Sequence, residues 1–296
     1  MTTKSSEEWK APLTKQEARS LLQKWREENT RCPEKVRDVW QAFDLRNSVG
    51  DEKWQILEQV CLAAMDLHDA VLIKDCLTQL DAKFPNSSRV RRLKVMAKLE
   101  LRERYEDALK VYDDMIKKDE SNSILYKRKI AILIAQRKIP EAIREMSEYL
   151  KKFMNDSEAW LELCDLYIQE QEYSKAAFCM EELILTNPHN HLYHQKYAEI
   201  QYTINTQESM ELARSYYSQA VKLNPTNMRA LYGLFLTASN LSQQAKYTSQ
   251  KRRENAKIAS WAMSHITKIY EDAEAGKHQL SALEAMMGSL QVNSVN

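Results

Sequence analysis

The sequence predicts an all-α protein built from helix pairs that repeat along the chain. Three observations carry this. Glycine is scarce, with only 4 in 296 residues, against an average usage of about 7%. Ala, Leu, Glu, Lys, Arg and Gln, which favour helices, dominate the rest. Apolar and small residues also recur at an interval of 34 residues, and a long polar chain with a fixed period is the mark of a stacked array.

The period is clearest in SEAWLELCDLYIQEQEYSKAAFCMEELILTNPHN, residues 157–190. Trp160 stands fourth, and Leu163, Cys164 and Tyr167 follow on the same helical face. Ala176 comes sixteen residues after Trp160, and Pro188 closes the segment. This is the tetratricopeptide pattern. One period back lie Tyr126, Leu133, Ala142 and Met146, and two periods back Arg92, Leu99, Ala108 and Tyr112. Forward, Ala213, Tyr217, Ala220 and Pro225 repeat the second half, but Ala213 is 37 residues beyond Ala176. This places a three-residue insertion in the loop around Asn205–Glu208. Residues 54–85 read as a degenerate earlier unit, with Trp54 and Ala70 keeping the sixteen-residue spacing. Each unit is two antiparallel helices, and neither buries its apolar stripe alone. The small residue after the turn lets the second helix, B, approach the first, A.

At the N-terminus, Thr14 and Glu17 have the spacing of a capping box, ahead of Ala18, Leu21, Leu22 and Trp25 on one face. Pro33 opens a second helix with Val36, Val39, Trp40 and Phe43 on one face. Pro140 starts a B helix, while Pro188 and Pro225 lie past helix ends. After Pro225 the pattern predicts a helix over Leu231–Ala238, a long helix through Trp261 and Ile269, and a last one near Leu280–Leu290. The expected organisation is N-terminal capping helices over 1–50 and a repeat array over 51–270, followed by a C-terminal helix and tail over 271–296. The array has regular units at 89–122, 123–156, 157–190 and 191–227. The fold class is thus an all-α tetratricopeptide-repeat superhelix, or α-solenoid, with extra terminal helices.

The glycines are Gly50, Gly233, Gly276 and Gly288, with no two within ten residues. Phosphate-binding loops, dinucleotide fingerprints and nucleophile elbows all need closely spaced glycines, so none can be written here. Lys and Arg number 43 against 42 Asp and Glu, a net charge of +1 that argues against a dedicated nucleic-acid binder. Cys32, Cys61, Cys76, Cys164 and Cys179 are odd in number, with no C-x-x-C pair. They read as free thiols in a reducing compartment. No signal-like apolar stretch stands in the first 30 residues, and the longest uncharged run, Ala230–Ala245, is too short and polar to span a bilayer.

Candidate chemical sites mostly dissolve. His189, His191 and His194 offer imidazoles within six residues, but they overlap a repeat boundary without cysteine or carboxylate support, and read as a solvated loop. Cys164 and Cys179 read as small buried hydrophobes. Trp160, Tyr167, Tyr112 and Tyr217 read as core aromatics, and the pairs Glu181–Glu182 and Asp113–Asp114 as solvated acids. No cofactor, metal or catalytic constellation is expected. Two basic runs remain, Arg89, Arg91, Arg92, Lys94 and Lys98, and Lys251, Arg252, Arg253 and Lys257. They are either helix faces balanced by neighbouring acids or contacts for an acidic partner or anionic lipid.

The A helices of such an array line its inner face. Register puts Leu93 and Ala97, then Lys127, Ala131 and Ile134, then Leu161, Asp165 and Ile168, then Gln195, Glu199 and Tyr202 there, a mixed surface suited to a peptide segment. Lys127, Arg128, Asp165, Ile168, Gln195 and Tyr202 are the candidate partner-binding residues. No acid stands three or four residues before Lys127 or Arg128, so this pair is expected to be solvated or to meet an acidic partner. A chaperone-type carboxylate clamp is not expected, since Ala131 takes the place of its asparagine and Glu158 and Glu162 follow on the next A helix.

The stretches KWREENTR (24–31), FPNSSRVRRLK (84–94), ERYEDALKVYDDMI (103–116), AAFCMEELILTNPHNHLYHQKYAE (176–199) and ARSYYSQAVKLNPTNMRALYGL (213–234) resemble the family of the second subunit of the endoplasmic reticulum membrane protein complex. The resemblance runs over most of the chain. It implies a non-enzymatic scaffold at the cytosolic face of that membrane, within a complex that inserts tail-anchored and some multipass proteins. It also implies partners among the cytosolic tails of membrane subunits and a soluble companion subunit. The alternatives are a free co-chaperone adaptor and an enzyme regulated through its repeats.

Overall fold

A computed structural model describes residues 14–43, 50, 52–272 and 285. The described residues form fourteen α-helices and one short 3₁₀ turn, with no strand. The chain divides into two compact units, Met1–Gln136 and Arg137–Asn296. The first contains α1 (Lys15–Glu27), α2 (Pro33–Ala42), α3 (Glu52–Asp66), α4 (Ala70–Lys83), α5 (Ser88–Lys98) with the 3₁₀ turn Glu100–Arg102, α6 (Tyr105–Lys118) and α7 (Ser123–Ala135). The second contains α8 (Ile139–Lys152), α9 (Ser157–Gln169), α10 (Tyr173–Thr186), α11 (His191–Ile204), α12 (Gln207–Leu223), α13 (Met228–Gln243) and α14 (Ser249–Asp272). Apart from Ala285, the final helix expected near Leu280–Leu290 lies outside the described residues.

Local chemistry sets the helix ends. The Glu17 amide donates to Thr14 Oγ1 at 3.3 Å and the Thr14 amide donates to Glu17 Oε2 at 2.6 Å, the reciprocal pair expected from the sequence. Pro33 sits in the first turn of α2 and Pro140 in that of α8. The first six A-to-B turns pass through a residue of positive φ: Asn29, His68, Glu103, Arg137, Gln171 and Asn205, at 50–60°, whereas α13 ends at an extended Gln244. From Glu103 onward these stand 34 residues apart. At Asn29, His68, Glu103 and Gln171 the next amide donates five residues back, as Glu172 N does to Tyr167 O at 2.8 Å, closing a Schellman turn. Glycine ordinarily serves at this position, and this chain uses none.

Packing follows the register of the small residues. Ala108, Ala142, Ala176 and Ala213 are all fully buried (0% exposed), and within each unit Ala108, Ala176 and Ala213 let α6, α10 and α12 approach α5, α9 and α11. The first unit's core gathers Leu22, Trp40, Ile56, Leu57, Leu80 and Leu93, with a second cluster around Tyr112 and Leu125. The second unit's largest cluster lies around Tyr217, Leu231, Leu234, Phe235 and Ile266.

Two expectations of register need correction. The three extra residues after Ala176 do not lengthen the loop around Asn205–Glu208, because the turn residue Asn205 and the start of α12 keep the 34-residue step from Gln171 and α10. They extend α12 itself, to 17 residues where α6, α8 and α10 have 14. Three residues are nearly a full turn, so the buried face is restored after the insertion. Ala70 is not the small residue of its pair. It is exposed at the start of α4, and the turn at His68 puts Ile73 where Ala108 stands in the next pair.

Candidate functional site

In the second unit, one face each of α9, α11 and α13 forms a groove of about 660 Å³. Asp165 and Ile168 come from α9, Lys196, Glu199, Ile200 and Thr203 from α11, and Arg229, Tyr232, Gly233 and Leu236 from α13. Within each helix these residues stand three or four apart, so they share a face. Tyr173, Tyr202 and Tyr217 complete the lining.

Ion pairs tie the helices together across it. Lys196 Nζ lies 2.5 Å from Asp165 Oδ1. Arg229 grips Glu199 with both arms of its guanidinium, Nε to Oε1 at 2.5 Å and an Nη to Oε2 at 3.0 Å. That pairing raises the Arg229 pKa above its ordinary value, the hydrogen bond being the larger cause and the opposite charge the next. Asn240 donates to the Tyr202 hydroxyl at 2.9 Å, and the Tyr232 and Tyr270 hydroxyls meet at 3.3 Å. Burial raises the pKa of the Tyr217 and Tyr232 hydroxyls, which keeps them protonated. With the charges committed to one another, apolar and aromatic contact is what the floor offers a ligand. The rim offers the exposed outer parts of Asp165 and Arg229.

Gly233 explains the depth of the floor. A Cβ there would stand 2.3 Å from Cε1 and Cζ of Tyr217, so the ring packs against bare helix backbone.

The structure sorts the residues expected from register. Asp165, Ile168, Glu199 and Tyr202 come together in this groove. Gln195 is buried instead, donating to Glu199 at 2.8 Å and accepting from Asn227 at 2.8 Å, so it positions the Glu199 carboxylate. Leu93 is core, not lining, and Ala97 lines a groove of the first unit between α4 and α5. Lys127 and Arg128 stand on α7, in the first unit. Arg128 pairs with Glu100, which also accepts from the Tyr112 hydroxyl. Lys127 is half-buried and engaged as well. The absence of an acid on their own helix therefore does not leave the pair solvated, because Glu100 reaches Arg128 from 28 residues back. Arg229, Tyr232 and Gly233 escape the register rule as applied to the regular units. The signals were an isolated glycine inside a helical pattern and the continuation of the A-helix face into α13.

Other expectations resolve in the same way. The histidines are not a solvated loop throughout. His194 is 5% exposed, its Nε2 lies 2.8 Å from Pro188 O, and its ring stacks on Tyr216. His191 meets the Asn224 and Asn227 amides, leaving His189 exposed. No group of three His, Cys, Asp or Glu side chains among the described residues could hold a metal ion. The five thiols are free, and burial pushes Cys61 and Cys179 up to about 12 and Cys164 to about 11. Tyr112 and Tyr217 are core aromatics as expected. Glu181 is not simply solvated, since it accepts the Tyr197 hydroxyl at 2.8 Å, and Asp113 pairs with Lys129. In the first basic run, Arg89 and Arg92 share Glu58 at 2.6 and 3.0 Å, and Lys94 meets Asp81 at 2.5 Å.

A family model described as the EMC2 TPR-like repeat domain matches residues 71–218. ER membrane protein complex subunit 2 of Xenopus tropicalis is 44% identical over 286 residues, covering 95% of this chain and 96% of the relative. The chain belongs to the EMC2 TPR-like repeat family. The Dictyostelium discoideum protein of the same description is 32% identical over 230 residues, 74% of this chain and 70% of the relative. Among solved structures, the C-terminal part of a TPR repeat-containing protein from Cytophaga hutchinsonii superposes with a TM-score of 0.56 at 14% identity, covering 89% of this chain and 98% of that one. That likeness supports the family's all-α tetratricopeptide solenoid as the fold.

Proposed function

We propose that this protein is a non-enzymatic scaffold subunit of the endoplasmic reticulum membrane protein complex, holding an extended segment of another subunit in the groove of its second unit. The observation that carries the reading is the groove itself: three successive A helices present one aligned face, floored by apolar and tyrosine side chains and braced by internal ion pairs. Such a surface binds a chain and has no free charged pair to move protons. The family, and the place of its Xenopus relative as subunit 2 of the ER membrane protein complex, support the choice of complex. No helix among the described residues is long and apolar enough to cross a membrane, which suits attachment at the cytosolic face through partners, the cytosolic tails of membrane subunits and a soluble companion. By the same reading, its contribution to inserting tail-anchored and multipass proteins is to hold the inserting subunits together.

The test is a photo-crosslinking side chain placed at Leu236, Tyr202 or Thr203 in the native complex. Adducts to another subunit of the complex are expected. Adducts to chaperones instead, or none from any of the three while a control position reacts, would overturn the proposal.

A further inference from the structure

The first unit carries a second groove, between α4 and α5 with the following 3₁₀ turn, of about 650 Å³. Its floor is apolar and recessed: Ile73 and Leu77 of α4 are each 8% exposed, and Ala97 and Leu101 close the other side. Its rim is basic. Lys74 stands on α4, and Lys94, Lys98 and Arg102 follow one another at four-residue intervals along α5 and the turn. Asp81 is the single acid in the lining, and it is committed to Lys94 at 2.5 Å. Lys74, Lys98 and Arg102 are exposed and meet no acid among the described residues. This concentration occurs in a chain whose formal charge is only +1. Lys94 is balanced by Asp81, but Lys74, Lys98 and Arg102 leave positive charge beside the apolar floor that an anionic occupant would neutralise.

We propose that this groove docks a short acidic segment of a partner protein, with apolar side chains seated on Ile73, Leu77 and Leu101 and carboxylates meeting Lys74, Lys98 and Arg102. A protein segment is favoured over a lipid surface because the apolar floor lies below the basic rim, where a side chain reaches and a flat bilayer does not. The site is separate from the groove of the second unit, and its occupancy does not depend on that one.

The experiment uses the full chain and a fluorescein-labelled amphipathic peptide with leucine on one face and glutamate on the other, read by fluorescence anisotropy. A lysine-for-glutamate version and phosphatidylserine vesicles serve as the other arms. The glutamate peptide should bind, weaken steeply with salt, and lose about tenfold or more in affinity for the Lys74→Glu, Lys98→Glu, Arg102→Glu variant. A Lys74→Gln, Lys98→Gln, Arg102→Gln variant should lie between, with unchanged circular dichroism melts marking both as folded. Equal binding of both peptides, equal binding by wild type and the reversal variant, or vesicle flotation lost in the variant without any peptide binding would overturn the proposal.

Discussion

Replacing Gly233 with alanine tests whether the groove floor is as tightly closed as its geometry requires. In an ordinary helix interior, glycine to alanine stabilises by roughly 0.8–1 kcal/mol, because glycine loses more backbone freedom on folding. Here the new methyl would stand 2.3 Å from Cε1 and Cζ of Tyr217 and 2.9 Å from Cδ1. Carbon atoms prefer separations of about 3.5–4.0 Å, so the ring has to retreat by more than about 1 Å. It is 4% exposed within a closed cluster, and overpacking of that kind costs about 1–3 kcal/mol. Setting the propensity gain against it leaves a net loss of up to about 2 kcal/mol, with the opposite sign to the usual substitution. The assay is thermal unfolding followed by circular dichroism, where about 1 kcal/mol moves the midpoint by about 2–4 °C in a unit of this size. Combining the change with Tyr217→Ala should remove the clash and restore the gain expected of alanine, a coupling that a double-mutant cycle reads directly. A higher midpoint for Gly233→Ala alone would refute the close approach of ring and backbone.

Four further outcomes are expected. Gln171→Gly relieves a left-handed backbone (φ 60°) and should leave stability unchanged or raise it by about 1 kcal/mol, whereas Gln171→Val should lower it, as chemical denaturation would reveal. Arg128→Glu places two carboxylates together at the largely buried Glu100, and should cost about 1–3 kcal/mol in the same measurement, in contrast to a solvated rim residue, which would lose almost nothing. Glu211 accepts the Tyr247 hydroxyl at 2.7 Å, the first cause of a pKa held below its ordinary value. Its stabilisation is therefore present above the unfolded carboxylate pKa and disappears as pH falls through the folded one, so the gap in melting temperature between wild type and Tyr247→Phe should narrow below about pH 4. Iodoacetamide at mildly alkaline pH should modify the half-buried Cys32 before the buried Cys61, Cys76, Cys164 and Cys179, with peptide mass spectrometry giving the order.

Much of this protein was legible in one dimension. The 34-residue period, the alanines at 108, 142, 176 and 213, the Thr14–Glu17 capping box and the prolines opening α2 and α8 all depend on residues a few positions apart or on exact repetition. In a stacked array each element meets mainly its chain neighbours, so local pattern and period carry most of the fold. Even the failures of register are instructive. The extra residues after Ala176 entered α12 because nearly a whole turn fits inside a helix without moving its buried face, and Ala70 was mistaken for Ile73 because spacing from Trp54 does not locate the turn at His68.

Tertiary structure decided the side-chain partnerships. Arg128 with Glu100, Arg92 with Glu58, Arg229 with Glu199 and Lys196 with Asp165 join residues 28 to 34 apart, about one repeat. His194 against Tyr216 and Gly233 beneath Tyr217 likewise join neighbouring helices. Rules for three- and four-residue neighbours on one helix cannot see them. They depend on how closely two helices approach and which rotamers that leaves open, quantities set by packing between elements and not by the order of residues within one.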